Sequence, residues 1–328
     1  MSVRLSDSLD KLIRKDAYII RATELSQFLN CPRNWMFMSH NGLNMEQRVR
    51  PQKLRFGIVW HAGMEALYSG QDPYRGLEDE FTKEVDLIRS AMAYTPEMHE
   101  QVEEERTLAR ALMEGYLQWR NTEADPPDTG FTTEHVERRI VVPIGRTKGY
   151  LAARLDGELL DKNGGLWVLE HKSRGKSSSV DNPPELQLDL QMGLQMLACA
   201  KTTKHRLRGV IYNLTRKQMP SNRVRSPLYG RHQVMRSKDE LDVVEYTLTN
   251  AYREMRKATN MIRKNWLQAL YTLRYNPQPM GFCQWGCAVR EICESANRKE
   301  DVQYLVDASL VPREKNIWEV LEEELTES

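Results

Sequence analysis

The sequence predicts an α/β protein: a small mixed sheet flanked by helices, with N-terminal and C-terminal helical additions. Three observations predict it. Apolar residues recur at helical spacing before residue 120, as at Leu108, Leu112, Tyr116 and Trp119. Three alternating segments then follow closely at 133–144, 148–160 and 166–172, the last two separated by the turn signal Asn163-Gly164-Gly165. Helical patterning returns after about residue 237.

In chain order, Thr23 is placed to cap a helix starting at Glu24 within a helix-and-loop segment 23–45, and Pro32 follows Cys31 at a turn. Residues 56–68 read as a helix and 73–120 as one or two long ones. The stretch 121–130 has the composition of a linker. After the three strands come a helix over 184–201, a strand over 207–215 and a basic, proline-containing segment from Arg216 to Arg231. Ser237 and Glu240 form a capping box for a long helix to about Tyr271. A cysteine-rich loop and a terminal helix with Ile317, Trp318, Leu321 and Leu325 end the sequence. The expected regions are 1–130, helical; 131–235, the α/β core; and 236–328, helices with a cysteine cluster.

The 328 residues carry 47 Lys plus Arg against 46 Asp plus Glu, so net charge neither supports nor excludes a nucleic-acid partner. No apolar run approaches the ~18 residues of a membrane span. Met1 to Lys15 is polar, without a secretory pattern, so a cytoplasmic location and no membrane partner are expected. In a reducing compartment the five cysteines, Cys31, Cys199, Cys283, Cys287 and Cys293, are not expected to form disulfides. Gly175-Lys176-Ser177 resembles the tail of a phosphate-binding loop, but Glu170 stands where its first glycine is needed, which excludes a nucleotide motor.

Glu170 and Lys172 are two apart on a strand and so leave the same face. On the preceding strand Leu151, Ala153, Leu155 and Leu159 form an apolar face and Arg154, Asp156 and Glu158 a polar one. A three-residue loop at Asn163-Gly164-Gly165 would pair Asp156 with Lys172 and Glu158 with Glu170, so that Asp156, Glu170 and Lys172 converge. Two carboxylates this close repel unless a cation lies between them, and oxygen ligands suit Mg²⁺ or Mn²⁺. Such an ion with an adjacent lysine points to phosphodiester hydrolysis. On its own, E-x-K is a common tripeptide that marks a solvated strand face; its surroundings give it weight. Gly57 precedes His61 by one helical turn, with Glu65 on the same face, and Gln187, Gln191 and Gln195 form a polar stripe on the helix after Lys172.

The order G-x-x-x-H, Asp, Glu-x-Lys, then a glutamine helix resembles the PD-(D/E)xK nuclease superfamily over about residues 20–295. It looks most like the branch of the RecB and AddB nuclease domains and the nucleases of CRISPR adaptation and phage recombination. That resemblance implies a restriction-endonuclease-like core. It implies metal ligation by His61, Asp156, Glu170 and the backbone carbonyl of His171, with Lys172 as catalytic lysine. Gln191 would match the family's Q-x-x-x-Y glutamine, which helps place DNA; Gln195 stands where the tyrosine is usual.

Cys283, Cys287 and Cys293 give C-x₃-C-x₅-C, and Cys31 is a candidate fourth ligand. Four thiolates suit a [4Fe–4S] cluster or zinc, although zinc ribbons expect paired C-x₂-C knuckles. One distant N-terminal cysteine with three clustered C-terminal ones resembles the iron–sulfur nucleases of the same branch. The resemblance therefore implies a [4Fe–4S] cluster clamping the two ends around the core. Cys199 sits in an apolar helix and reads as core. The basic residues Arg174, Lys176, Lys201, Lys204, Arg206, Arg208, Arg216, Lys217, Arg223, Arg225 and Arg231, interleaved with Tyr212 and Tyr229, suit either a groove for single strands or a solvated surface.

The expected function is a metal-dependent deoxyribonuclease, an exonuclease on single-stranded DNA or DNA ends in recombination, repair or phage DNA processing, with a possible helicase or recombination partner. The alternative is a catalytically weak iron–sulfur DNA-binding subunit of a larger complex.

Overall fold

In the computed structural model the described residues are 17–47, 52–90, 95–181, 183–221, 227–275, 283 and 287–313. The terminal helix expected around Trp318 lies outside them, as do Arg223 and Arg225. The chain divides into two units. Unit 1 comprises 1–48, 139–153 and 239–328, and unit 2 comprises 49–138 and 154–238.

Unit 2 opens with three helices: α3 (Gln52–Tyr68), α4 (Pro73–Ser90) and α5 (Pro96–Thr122). Phe56, Val59, Trp60 and Met64 recur three or four apart on α3, and Leu77, Phe81, Val85 and Ile88 on α4. Both stripes are buried in one apolar cluster with Leu112, Met113 and Tyr116 of α5. A Cβ at Gly63 would lie 2.7 Å from the Leu77 side chain, so glycine there allows α3 and α4 their close approach. The 73–120 segment is thus two helices, the second started by Thr95, whose hydroxyl accepts from Met98 N–H, with Pro96 in the first turn. Arg55 and Glu105, both buried, form a two-bonded ion pair at 2.8 Å.

The sheet is mixed. Its order is β1 (Tyr18–Arg21), β4 (Gly149–Asp161), β5 (Gly165–Arg174), β6 (Arg206–Arg216), β7 (Tyr229–Val234), and β3 (Phe131–Pro143) also pairs with β4. β4 and β5 are antiparallel; β5 and β6 are parallel, joined through α6 (Leu190–Thr202) as a parallel pair requires. Strand β7 begins within the segment read as basic and proline-containing, expected to end at Arg231, and runs on to Val234. The helix expected over 184–201 begins only at Leu190, because Pro184–Leu188 is a 3-10 turn and the Asp189 carboxylate caps Gln191 and Met192.

The β4–β5 register differs from expectation by two residues. Gly157 faces Leu169 and Glu158 faces Val168, which sets Asp156 level with Glu170 rather than with Lys172. The cause is Asp161: its carboxylate accepts from the backbones of Asn163 and Gly165 and from the Trp167 indole, closing the turn one residue earlier, with Gly164 at φ 72°. Parity is unchanged, so the faces stay as expected.

Unit 1 holds β1, paired in parallel with residues 149–152, and α1 (Ala22–Asn30), α2 (Pro32–Met38) and β2 (Met45–Gln47). Its later part is α7 (Lys238–Lys264), α8 (Trp266–Thr272), α9 (Arg290–Asn297), α10 (Gln303–Ser309) and β8 (Leu310–Pro312), the last antiparallel to β2. Two expectations are corrected. Thr23 lies inside α1, which begins at Ala22; the Glu24 carboxylate accepts from Arg21 N–H at 3.3 Å. The long helix ends at Lys264, because the Asn265 side chain accepts from Gln268 N–H and starts a new one.

Candidate metal centre and active site

α3 carries His61 to the polar face of β4. His61 Nδ1 lies 3.4 Å from Asp156 Oδ2, and the same oxygen accepts the His171 backbone N–H at 2.7 Å. Burial disfavours a charged His61, but Asp156 outweighs it and lifts the imidazole to about 9. Burial likewise opposes ionisation of Asp156; the His61 ring and the His171 amide overcome it and hold the carboxyl below its usual range.

Glu170 is the opposite case. It is 4% exposed, and its Oε2 has no hydrogen-bond partner. Burial first, then the Asp156 charge, push its carboxyl well above the usual range. Lys172 Nζ stands 3.9 Å from Glu170 Oε1, donates to Asp189 and lies 5.4 Å over the Tyr212 ring. An uncompensated carboxylate oxygen next to a second carboxylate is costly without a cation.

Among the described residues, His61, Glu137 and Asp156 bring one ligand atom each within 4.8 Å of one another. Glu137 was not anticipated. It sits in β3 at φ 52°, a left-handed conformation, buried between the half-buried Val136 and Arg138, and its carboxylate is paired with Arg154. His61, Asp156, Glu170 and Lys172 are thus brought together, with Glu137, Arg154 and Asp189 added. His171 contributes its amide to Asp156; burial drops its ring to about 3, so it is neutral, 5.1 Å from the Tyr68 ring. Gln191 lies in the first turn of α6, its backbone on Asp189. Gln195 is buried and donates to the Arg154 carbonyl at 3.0 Å.

The proposed single-strand groove is corrected in part. Tyr212 and Tyr229 are buried, and the Tyr229 hydroxyl donates to the Leu112 carbonyl, so neither can stack on a base. The Arg231 guanidinium is buried on Asp128, Asn213 and the Pro126 carbonyl. Arg174 pairs with Glu185, whereas Lys176, Lys204 and Arg206 are exposed.

In unit 1, Cys31 caps α2 and its Sγ accepts from Asn34 N–H at 3.5 Å. Asn34 Nδ2 donates to Cys287 Sγ at 3.7 Å, and Arg33 Nη1 to Cys293 Sγ at 3.3 Å. Cys283 lies within electrostatic reach of Cys31 and Cys293, so all four thiols are neighbours. Cys199 is buried and its Sγ donates to Glu158 at 3.2 Å, consistent with a core thiol.

Carboxylates, a histidine and a lysine gathered on a mixed sheet define a class: hydrolytic centres built for a hard divalent ion. A family model described as "PD-(D/E)XK nuclease superfamily" matches residues 21–294, and the chain belongs to that superfamily. Membership implies metal-dependent nuclease activity and a DNA substrate. A solved structure described as "Crystal structure of SSO0001" is similar at a TM-score of 0.37 and 15% identity, covering 89% of this chain and 94% of that one. The comparison with curated proteins gives no match. No helix among the described residues is long and apolar enough to cross a membrane.

Proposed function

We propose that the protein is a Mg²⁺- or Mn²⁺-dependent exonuclease acting on single-stranded DNA or DNA ends, serving recombination, repair or phage DNA processing. The observation that carries this reading is the buried, unpartnered Glu170 oxygen beside Asp156, on the face that also bears Lys172. Asp156, Glu170 and His61, with the His171 carbonyl, would hold the ion. When bound, such an ion acidifies a water and neutralises charge on a phosphate oxygen.

The protein's own groups do the rest. Asp156 is oriented by the His171 amide, so its free lone pairs are fixed in direction. Lys172 is steadied by Asp189 and by the Tyr212 ring, and its ammonium holds the attacking water and the scissile phosphate. Gln191, at the start of α6, supports DNA placement.

Cys31, Cys283, Cys287 and Cys293 would hold a [4Fe–4S] cluster as a structural clamp. Asn34 and Arg33 donate to three of the sulfurs, those of Cys31, Cys287 and Cys293, the second layer of donors that a sulfur-ligated cluster uses. A partner helicase or recombination protein would supply DNA ends.

End-labelled linear and circular single strands, incubated with Mn²⁺, test the reading. Mononucleotide or short products from linear DNA with intact circles are expected. Cleavage of circles at the same rate removes the exonuclease assignment, and cleavage unchanged in Lys172→Ala removes the site. Iron and acid-labile sulfide, with a brown colour, are expected for the cluster; a colourless protein holding zinc overturns it.

A further inference from the structure

The Glu137–Arg154 pair belongs to no step described so far. Arg154 lies on β4 two residues before Asp156, on the same face. Its side chain is half exposed, while the Glu137 carboxylate it pairs with is almost wholly buried. Glu137 reaches this position only through a backbone at φ 52°, a conformation that costs a non-glycine residue on the order of 1 kcal/mol or more. Strain of this kind persists where the side chain is needed in one place. That place is within 4.8 Å of the ligand atoms of His61 and Asp156. Glu65, one turn after His61 on α3, adds a further negative charge acting on both Glu137 and Arg154.

Resting on the nuclease reading, we propose that this pair is a latch: the divalent cation held by His61, Asp156 and Glu170 recruits Glu137 as a further ligand and so displaces the Arg154 guanidinium, which then grips a phosphate of the bound DNA. A divalent ion and a guanidinium a few ångströms apart repel, and only one can neutralise the same carboxylate. Arg154 can leave because its head already reaches solvent. Its backbone stays in place, since buried Gln195 holds the Arg154 carbonyl. A released guanidinium beside the ion matches the fork geometry of a phosphate. Ion and DNA therefore bind with positive coupling, each strengthening the other equally.

Calorimetric titration of the full chain with Mn²⁺, with and without a phosphorothioate single strand that resists cleavage, tests this. In the wild type the oligonucleotide is expected to tighten Mn²⁺ binding about fivefold or more. Glu137→Gln should weaken Mn²⁺ binding about tenfold. Arg154→Gln should tighten Mn²⁺ binding in the absence of DNA and abolish the oligonucleotide effect. Should Arg154→Gln fold poorly, with Glu137 left as a lone buried charge, the neutral double variant E137Q/R154Q replaces it and must also lack the effect. Wild-type Mn²⁺ affinity in Glu137→Gln, or coupling retained without Arg154, overturns the latch. Asp156→Asn separates the two readings. If it abolishes Mn²⁺ binding and cleavage while the other variants behave as wild type, only the latch falls; if it changes neither, the nuclease site itself is misplaced.

Discussion

Asp128 and Glu170 are both carboxylates inside unit 2, yet their surroundings differ in kind. Asp128 is met by Arg231 at 2.6 Å, by Arg120 at 3.6 Å and by the Tyr68 hydroxyl, which donates at 2.9 Å. Arg231 in turn donates to Asn213, and Asn213 donates to the Tyr116 hydroxyl. Asp128 Oδ1, like Glu170 Oε2, lacks an aligned hydrogen bond, but the Arg231 guanidinium stands 2.6 Å from it, so the charge of Asp128 is matched. Glu170 has one ammonium at 3.9 Å, shared with Asp189, and one oxygen with no partner. The contrast separates a polar group buried to hold the fold from one buried to receive something else.

Substitutions should divide along that line. The largest expected effect is at Lys172: alanine there lowers the cleavage rate about a hundred- to a thousandfold, with a melting temperature close to wild type. A comparable fall in stability would make Lys172 a structural partner like Arg231. Next is Arg231→Met, which leaves Asp128 with the Tyr68 hydroxyl and, as its remaining cation, Arg120 at 3.6 Å. Urea unfolding should show a loss of about 3 kcal/mol or somewhat more. Glu170→Gln is expected to have the opposite sign, unchanged or higher stability of the metal-free protein together with lost cleavage. If Glu170→Gln destabilises as much as Arg231→Met, the distinction between the two carboxylates is broken.

A smaller effect is expected from pH. Because Asp156 lifts His61 to about 9, its contribution to metal-free stability is complete below the ordinary histidine value of about 6.5. It declines as pH rises and is gone above about 9. The ion needs a deprotonated ring, so Mn²⁺ affinity should rise up to tenfold per pH unit across that window and then level off. Titration at fixed ionic strength checks this; a slope unchanged in His61→Asn assigns the proton elsewhere. The smallest effect is at Gly57, where a Cβ would meet only Ser173 Oγ at 3.9 Å. Alanine should stabilise α3 by about 0.5–1 kcal/mol. A fall in DNA binding despite that gain would mean the backbone of α3 is approached by substrate.

Much of this site could be read from residue order. Alternation around Asp156 and Glu170 gave the shared face, because strand periodicity survives any even change of register. The register itself could not be read, since it depends on which residue the Asp161 carboxylate bonds, and Asn163-Gly164-Gly165 admits two closures. Glu137 was hidden for a different reason. Its inward turn comes from one backbone angle that breaks the alternation of β3, and no side-chain pattern encodes that. Asp189 was hidden within a segment whose Leu and Gln spacing looked helical two turns too early. Strand β1 has only four residues and pairs in parallel with a partner some 130 positions later, beyond the reach of local pattern. The burial of Tyr212 and Tyr229 likewise came from long-range packing, which a basic and aromatic composition does not report.

The antiparallel pairing of β2 with β8 joins Gln47 to Leu310, about 260 residues further along. At the usual ribosomal pace of about 5–20 residues per second, β2 is without its mate for roughly 13–50 s. Cys31 spends nearly as long with its thiol unmatched by Cys283, Cys287 and Cys293. During synthesis, then, the amino-terminal half of unit 1 is a nascent fragment needing shelter, while both segments of unit 2 have already emerged. The first residues of unit 1 to be made are therefore among the last to reach their partners.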